Sequence, residues 1–259
     1  MSDSLGRFVW HDLMTTNAQK SLDFYTQLFP EWQVEDLNVG EAGTYHMIHV
    51  DGLKCGGIVA IPEDAGIPSH WIGYIEVEDC DATVERVKEA AGSLVIPAHS
   101  APGVGRFAVI ADPVGAMVKP FQVENKTELP AHPTSGQFTY DECLSNNVPV
   151  TQKFYQSVFG WSVFEFPMEG MGTYTMFRLG EQDVAGCLPM PPDGDGNPAW
   201  LSYLYAEDID ERAGKAESLG AQMFVPPQDI SGVGRFTVMA DSNNAFFAMF
   251  RREDGSCVD

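Results

Sequence analysis

The chain has 259 residues, 44% of them hydrophobic, and carries 37 acidic against 15 basic side chains, for a net charge of −22. This charge would repel a polyanion such as nucleic acid, and no apolar run resembles a membrane span or a signal peptide. We therefore expect an acidic, cytoplasmic protein that binds neither nucleic acid nor membranes, with a length that suits two ordinary domains. Its five cysteines form no CxxC spacing, which indicates reduced thiols.

An internal repeat dominates the sequence, because the segment from Phe8 to Trp32 returns from Phe138 to Trp161. Positions 130 apart hold an aromatic residue, an acid, an asparagine and a Phe-Tyr pair, namely Trp10 and Tyr140, Asp12 and Glu142, Asn17 and Asn147, and residues 24–25 and 154–155. One residue is lost near Gly160, and the shift becomes 129 beyond it. The repeat predicts two halves of the same fold.

The first unit of each half begins with a strand and a helix. Alternation from Phe8 to Met14 predicts a strand that places Trp10 and Asp12 on the face opposite Leu13. Asn17 is a predicted N-cap, and Asn147 occupies the same place in the copy. Short runs follow that predict strands, at 44–50 and 55–61 in the first half and at 173–179 and 184–190 in the second.

The second unit repeats this order. A strand from His70 to Val77 precedes a helix that is predicted to start at Asp79 and to be closed by Gly92, or by Gly220 in the copy. Both halves then carry the phrase GVGRF, at 103–107 and 232–236. No strand-to-helix signature accompanies the phrase, so we interpret it as a turn rather than a phosphate loop.

A polar, proline-bearing stretch at 125–136 predicts a linker between a domain at 1–124 and a domain at 137–259. Each half then contains two units of strand, helix and three strands. The predicted fold class is therefore α+β, with four βαβββ modules in two similar halves.

This order, the phrase SLDFYTQLFPEW and the Asp-Pro-x-Gly turn before a final strand resemble the vicinal oxygen chelate superfamily of glyoxalases, bleomycin-resistance proteins and extradiol dioxygenases. Within it the chain looks most like tandem two-domain bacterial glyoxalase-like proteins. The resemblance implies that each pair of modules curls mixed sheets around a cleft, with the helices outside.

The resemblance also implies positions for a divalent metal held by His, Gln or Glu. In the first half these positions fall on Trp10, Ile72 and Lys119. In the second half they fall on Tyr140, Leu201 and Ala248. None of these is a usual ligand, so no metal site and no cofactor are expected.

The predicted cleft contains acids and aromatic residues. Asp12 and Glu142 are candidate general bases, because desolvation among aromatic rings would raise the pKa of a carboxyl group. The candidate ligand-binding residues are Trp10, Tyr74, Lys119, Tyr140, Tyr203, Tyr205, Arg106 and Arg235. The alternative is structural, with Asp12 paired to Arg106 and Glu142 to Arg235 so that each pair fixes a GVGR turn.

Three functions follow from these interpretations. The leading one is a protein that binds a small organic molecule in aromatic-lined clefts without a metal. The second is a glyoxalase-like lyase or isomerase, or a dioxygenase, that uses a metal at unrecognised ligands or Asp12 or Glu142 as general base. The third is a structural or interaction protein with filled clefts. A monomer suffices for the fold, and a homodimer, the ligand and the sharing of modules between halves stay open.

Overall fold

The computed structural model describes residues 4–40, 43–125, 129–130, 132–168, 172–191 and 197–253. The first half contains β1 (Phe8–Thr15), α1 (Ala18–Leu28), β2 (Gln33–Asn38), β3 (Thr44–Val50), β4 (Leu53–Ala60), β5 (His70–Glu76), α2 (Cys80–Glu89), β6 (Ser93–Ala101), β7 (Gly105–Ala111) and β8 (Met117–Val123). A 3-10 turn at Glu63–Ala65 precedes β5. The predicted order of two βαβββ units is confirmed in this half.

The second half repeats the same elements. It contains β9 (Phe138–Ser145), α3 (Val148–Phe159), β10 (Ser162–Met168), β11 (Gly172–Leu179), β12 (Gln182–Pro189), β13 (Ala199–Tyr205), α4 (Ile209–Ser218), β14 (Gln222–Ile230), β15 (Gly234–Ala240) and β16 (Phe246–Arg252). Parts of the predicted linker (126–128 and 131), the end of the second domain (254–259) and with it Cys257 lie outside the described residues. None of the described helices is long and apolar enough to cross a membrane.

Each half forms one eight-stranded mixed sheet. The strand orders are β2-β3-β4-β1-β5-β8-β7-β6 and β10-β11-β12-β9-β13-β16-β15-β14. The two modules of a half join where β1 pairs antiparallel with β5, and β9 with β13. Each cleft is therefore built within one half, and the predicted fold class is confirmed.

The helices begin as predicted, and Gly92 closes α2. The side chain of Asn17 accepts a hydrogen bond from the backbone N–H of Lys20 at 3.0 Å, and Asn147 accepts one from Val150 at 3.4 Å. The backbone N–H of Gly92 closes α2 as predicted, by donating to the carbonyl of Val87 at 2.9 Å, and the left-handed residue of this cap is Ala91, with φ at 61°. A Cβ on Gly92 would lie 2.6 Å from the ring of Phe154, so this glycine permits close contact between the halves.

The halves pack through their helix-covered faces. Helix α1 contacts α4 of the other half, and α2 contacts α3. The indole N–H of Trp32 donates to the carbonyl of Gly136 at 2.8 Å, and that of Trp161 donates to the carbonyl of Gly6 at 2.8 Å. These contacts exchange under an approximate two-fold rotation, because Gly6 and Gly136 occupy matched positions of the repeat.

The same relation brings His11 and Asp141, which are also matched positions, into contact between the halves. The Nε2 atom of His11 lies 3.0 Å from both carboxylate oxygens of Asp141, and both side chains are buried. Ser202 donates a further hydrogen bond to this carboxylate at 2.8 Å. A polar pair thus lies between two large apolar clusters that each draw residues from both halves.

Candidate functional site

The concave face of each sheet carries the predicted cleft residues. In β1 and β5, Trp10 lies directly opposite Tyr74, and Asp12 opposite Ile72. Directly paired residues of antiparallel strands share a face, so all four side chains point the same way. Lys119 of β8 pairs with Tyr74 and completes the group. We name this face of the first half the first cleft, and its counterpart around Glu142 the second cleft.

In the first cleft, Asp12 is the centre of a saturated hydrogen-bond network. Its Oδ1 atom accepts hydrogen bonds from the hydroxyl of Tyr45 at 2.7 Å and from the indole N–H of Trp10 at 3.1 Å. Its Oδ2 atom accepts from the hydroxyl of Tyr74 and from the ammonium of Lys119, the latter at 3.0 Å. The ammonium also donates to the hydroxyl of Tyr74 at 2.7 Å. Four donors therefore hold this carboxylate.

The charge state of Asp12 follows from these contacts. Its side chain is 6% exposed, and burial alone would raise the pKa of the carboxyl group. The charge of Lys119 and the hydrogen bonds from Tyr74, Tyr45 and Lys119 outweigh this effect, and the pKa lies below its ordinary value. Asp12 is thus a fixed anion that neutralises a buried cation, and it is poorly suited to accept a proton near neutral pH.

The second cleft has a matching carboxyl group in a different environment. The hydroxyl of Tyr174 donates to Oε2 of Glu142 at 3.0 Å, and that of Tyr203 donates to Oε1 at 3.1 Å. The hydroxyl of Tyr140 lies 3.0 Å from that of Tyr174 and extends the network. The residue beside Tyr203 in β16 is Ala248, where the first half has Lys119. No cation contacts Glu142 among the described residues.

This difference in counter-charge reverses the direction of the pKa shift. Burial raises the pKa of Glu142, and the hydrogen bonds from Tyr174 and Tyr203 lower it by less, so the pKa lies above its ordinary value. The side chain is 7% exposed, while the neighbouring rings of Tyr140, Phe236 and Phe250 are half-buried. The second cleft therefore presents an aromatic wall with a carboxyl group that exchanges protons at higher pH than an ordinary glutamate.

Two glycines make room for the tyrosines that reach these carboxyl groups. A Cβ on Gly57 would lie 2.1 Å from the hydroxyl of Tyr45, and a Cβ on Gly186 would lie 1.9 Å from that of Tyr174. Such distances exclude any side chain in this arrangement. Tyr45 and Tyr174 are cleft residues that the sequence analysis missed, although the repeat carried the signal, since they match at the shift of 129.

The two arginines do not reach the cleft carboxylates, and the alternative pairing of Asp12 with Arg106 and of Glu142 with Arg235 is wrong. Arg106 forms a bidentate ion pair with Asp81 at 2.7 Å, in the first turn of α2. Arg235 forms the same pair with Asp210, at 2.7 and 2.8 Å. Asp81 and Asp210 are exposed, and each ion pair fixes a GVGR turn to the start of a helix. The arginines therefore have the structural role that the alternative hypothesis gave them, but their partners are different acids.

Tyr205 is placed differently from the other predicted ligand-binding residues. It lies at the end of β13 beside Phe250 of β16, two residues beyond Tyr203 and past a bulge in the pairing with β9. Its backbone N–H donates to the carbonyl of Gln137 at 2.8 Å, at the start of the second domain. The hydroxyl donors to Glu142 are Tyr203 and Tyr174 instead.

The residues at the positions that the resemblance predicts for metal ligands do not have the chemistry of divalent-metal ligands. These positions hold an indole, an aliphatic chain and an ammonium in the first cleft, and a phenol and two aliphatic chains in the second, at Trp10, Ile72, Lys119, Tyr140, Leu201 and Ala248. Burial raises the pKa of Tyr140 well above its usual value, which disfavours a phenolate ligand. Within the described ranges, no three His, Cys, Asp or Glu side chains lie close enough together to hold an ion.

Two curled mixed sheets, each with outer helices and an inward-facing carboxyl group, define a tandem βαβββ protein. A family model for the Glyoxalase/Bleomycin resistance protein/Dioxygenase superfamily matches residues 5–119. The chain is also 32% identical over 245 residues to "Putative glyoxylase CFP32" of Mycobacterium bovis, covering 93% of each chain. The chain belongs to the Glyoxalase/Bleomycin resistance protein/Dioxygenase superfamily, and the resemblance seen in the sequence is confirmed.

Two further similarities extend over nearly the whole chain. The "Anthracycline biosynthesis protein DnrV" of Streptomyces peucetius is 26% identical over 265 residues, covering 96% of this chain and 94% of that one. The crystal structure of the Mn(II)-bound glyoxalase from Novosphingobium aromaticivorans matches the fold with a TM-score of 0.66 at 15% identity, covering 100% of this chain and 85% of that one. The structural match shows the shared fold alone.

Proposed function

We propose that this protein binds a small organic molecule without a metal, and that the second cleft is the principal binding site. The observation that carries the proposal is the environment of Glu142, which is buried and which, within the described ranges, is held by tyrosine hydroxyls and not by a cation as in the first cleft. A buried carboxyl group with spare hydrogen-bonding capacity beside aromatic rings suits the recognition of a polar group on an otherwise apolar ligand.

The chemistry of the second cleft favours an aromatic ligand that bears hydroxyl or carbonyl oxygens. The half-buried rings of Tyr140, Phe236 and Phe250 offer stacking surfaces, and Glu142 can accept a hydrogen bond as an anion or donate one when protonated. The name of the Streptomyces relative refers to anthracycline biosynthesis, which supports screening polycyclic phenols and quinones.

The first cleft is a weaker candidate because its polar groups satisfy one another. A ligand that engaged Asp12 would have to displace Tyr45, Tyr74, Trp10 or Lys119 from a closed network. In addition, Leu129 packs against the apolar cluster of this cleft. We infer that the first cleft stabilises its half, while the second retains the capacity to bind.

A second candidate function is an enzyme of the glyoxalase-like lyase or isomerase type, with Glu142 as general base. The raised pKa of this carboxyl group favours it, since a base works best when its pKa is close to the operating pH. Glu142 would take a proton from a bound carbon or oxygen acid and return it elsewhere on the same molecule. Asp12 is not proposed for this role, because its pKa is lowered and Lys119 holds it as an anion.

Each half forms its own eight-stranded sheet from both of its modules, which supports a monomer as a sufficient functional unit. The domain division at 1–124 and 137–259, the linker, a homodimer and the cytoplasmic location stay predictions.

The test is a calorimetric screen of phenols, quinones and aromatic carbonyl compounds against the wild type, Glu142→Gln and Asp12→Asn. We expect a ligand whose affinity falls at least tenfold in Glu142→Gln, about 1.4 kcal/mol. The folded fraction of the two variants, measured by circular dichroism, separates lost binding from lost structure. Equal loss in both variants, or loss only in Asp12→Asn, would contradict the choice of the second cleft.

A second experiment tests metal independence. Elemental analysis after incubation with zinc, nickel, cobalt or manganese should find no stoichiometric ion, and the ligand should bind equally with and without a chelator. One tightly bound ion per half that is lost on mutating Asp12 or Glu142 would overturn this part of the proposal.

A further inference from the structure

A pocket lies between the two halves, near the approximate two-fold axis and next to both clefts, since Leu129 of the first cleft's apolar cluster and Tyr140 of the second cleft are among its lining residues. Its walls come from the first residues of β1 and β9, from the start of β4 and β12, and from the linker. It is open to solvent and has a cavity volume of about 100 Å³. We name it the seam pocket. The carboxyl groups of the clefts, Asp12 and Glu142, are not among its lining residues.

The acidic side chains of the seam pocket have partners within the protein. Asp141 lies 3.0 Å from the Nε2 atom of His11 and accepts a hydrogen bond from Ser202. Asp183 forms an ion pair with Arg178 of the neighbouring strand. Both carboxyl groups that line the pocket are therefore engaged by other side chains.

Two cations of the same pocket have no such partner among the described residues. No hydrogen bond, ion pair or ring contact joins the side chain of Arg7 or of Lys54 to another described residue, and both line the pocket. Arg7 is half-buried, and burial alone lowers the pKa of its guanidinium. A partly desolvated charge without a counter-ion is unfavourable, and Arg7 and Lys54 are two such cations in a protein with a net charge of −22.

Both of these cations of the seam pocket belong to the first half. The position matched to Arg7 in the second half is Gln137, and the position matched to Lys54 is Asp183. The remaining wall is apolar and includes Phe138, Leu129 and Pro130. The pocket thus has an apolar wall beside an arginine and a lysine on one side.

We propose that the seam pocket is a second ligand site, which binds a small organic anion with a flat apolar body. Arg7 holds the anionic group by paired N–H donors, and Lys54 adds a second charge at the mouth. The apolar body lies against Phe138 and the linker residues. Since both halves line the pocket, the bound anion also bridges them.

The probe for the test is 1-naphthoate, with neutral 1-naphthalenemethanol as its comparator, and the method is isothermal titration calorimetry. We expect wild type to bind one naphthoate at this site and to bind the alcohol at least tenfold more weakly. Arg7→Gln, which copies the matched residue of the second half, should weaken naphthoate binding at least tenfold, and Lys54→Gln should weaken it less. Added salt should weaken binding to wild type.

The control variant is Lys88→Gln, which removes the same charge from the exposed face of α2, and it should bind as wild type does. Glu142→Gln should also leave naphthoate binding intact, which separates this site from the second cleft. The proposal is overturned if wild type gives no binding heat at millimolar naphthoate. It is equally overturned if Lys54→Gln and Arg7→Gln bind as wild type does, or if only Glu142→Gln abolishes binding. Because Lys54 is exposed, Lys54→Gln should fold even if Arg7→Gln does not.

Discussion

The Nζ atom of Lys119 lies 3.0 Å from Oδ2 of Asp12, and the two side chains are 7% and 6% exposed. The second half has a methyl group, that of Ala248, at the matched position beside Tyr203. The pKa of Asp12 is lowered while that of Glu142 is raised. The presence of one lysine therefore distinguishes the two clefts. The carboxyl group of the first cleft is held in an ion pair, whereas that of the second cleft has no cationic partner among the described residues.

Replacing Lys119 by alanine should destabilise the protein by roughly 3–5 kcal/mol at neutral pH, because a buried carboxylate is left without its counter-ion. Chemical denaturation of the variant and the wild type measures the difference. Lys88→Ala is the matched control, since this lysine makes only an exposed pair with Glu85 on α2, and its effect should stay below about 1 kcal/mol.

The cost of Lys119→Ala should depend on pH in a defined direction. In the wild type the folded pKa of Asp12 lies below the unfolded value, so its contribution to stability is present above the unfolded pKa and is lost as pH falls through the folded pKa. In the Lys119→Ala variant, burial would raise the pKa of Asp12 in the folded state above its value in the unfolded state. At higher pH the ionised carboxyl group would therefore oppose folding. The gap between the two proteins should therefore narrow as pH falls toward about 3.9, the ordinary value. A gap that is constant with pH would contradict the buried ion pair.

The reverse change, Ala248→Lys, should close the second cleft. Lys119 lies over the ring of Tyr74, with Nζ 4.3 Å from the ring centroid, and a lysine at 248 would lie over Tyr203 in the same way. The pKa of Glu142 should then fall below its ordinary value, as measured by carboxyl chemical shifts during a pH titration. Binding of a second-cleft ligand should weaken at least tenfold. Ala248→Met, which fills space without a charge, separates the steric effect from the electrostatic one.

The substitution Gly186→Ala tests how the second cleft is assembled. The new Cβ would lie 1.9 Å from the hydroxyl of Tyr174 and 2.7 Å from that of Tyr140, so both rings must move. We expect a cost of about 1–3 kcal/mol in stability, as for other overpacked sites. Loss of the hydrogen bond from Tyr174 should also raise the pKa of Glu142 further.

Gly214→Ala is the control for that substitution. Gly214 lies inside α4, where a new Cβ would have no neighbour within 4 Å among the described residues outside its own helix turn. Alanine there should stabilise the protein by up to about 1 kcal/mol, through helix propensity. If Gly186→Ala were also neutral or stabilising, the close packing of Tyr174 against β12 would be wrong.

The repeat explains why so much of the fold could be predicted from one sequence. Each half confirms the other, so the asparagine caps, the strand phase around Asp12 and the turn before each last strand are visible twice. The strands β2 and β6 have no predicted bounds, because they are edge strands with mostly exposed side chains and weak alternation. Gly92 closes α2 as predicted, but the positive φ of Ala91, one residue earlier, was not predicted, since a left-handed alanine is unusual.

The partners of the charged side chains could not be predicted in the same way. Arg106 recurs as Arg235 and Asp12 as Glu142, so a pairing between them satisfies the repeat, yet the arginines bind Asp81 and Asp210. Asp81 and Asp210 are also matched positions of the repeat. The sequence alone therefore could not decide whether the arginines pair with these two acids or with Asp12 and Glu142. Likewise, the sequence predicts that Lys119 repels a cation, but its role as the counter-ion of Asp12 depends on how β5 brings β8 near β1.

The last prediction concerns the pair formed by His11 and Asp141, which couples the halves through matched positions. Replacing either residue by alanine should destabilise the protein by roughly 3–5 kcal/mol, because the remaining polar group would be buried without its partner. The exchange variant, His11→Asp with Asp141→His, restores both groups with their positions swapped. It should recover a large part of that loss, since an approximate two-fold rotation superimposes the two positions. Recovery should be incomplete, because Ser202 donates to Asp141 at 2.8 Å and the matched position in the first half is Gly73. Urea denaturation of the wild type, the two single exchanges and the double exchange gives the coupling free energy directly. A double exchange that is as unstable as the sum of its single exchanges would show that the two-fold relation does not extend to this pair.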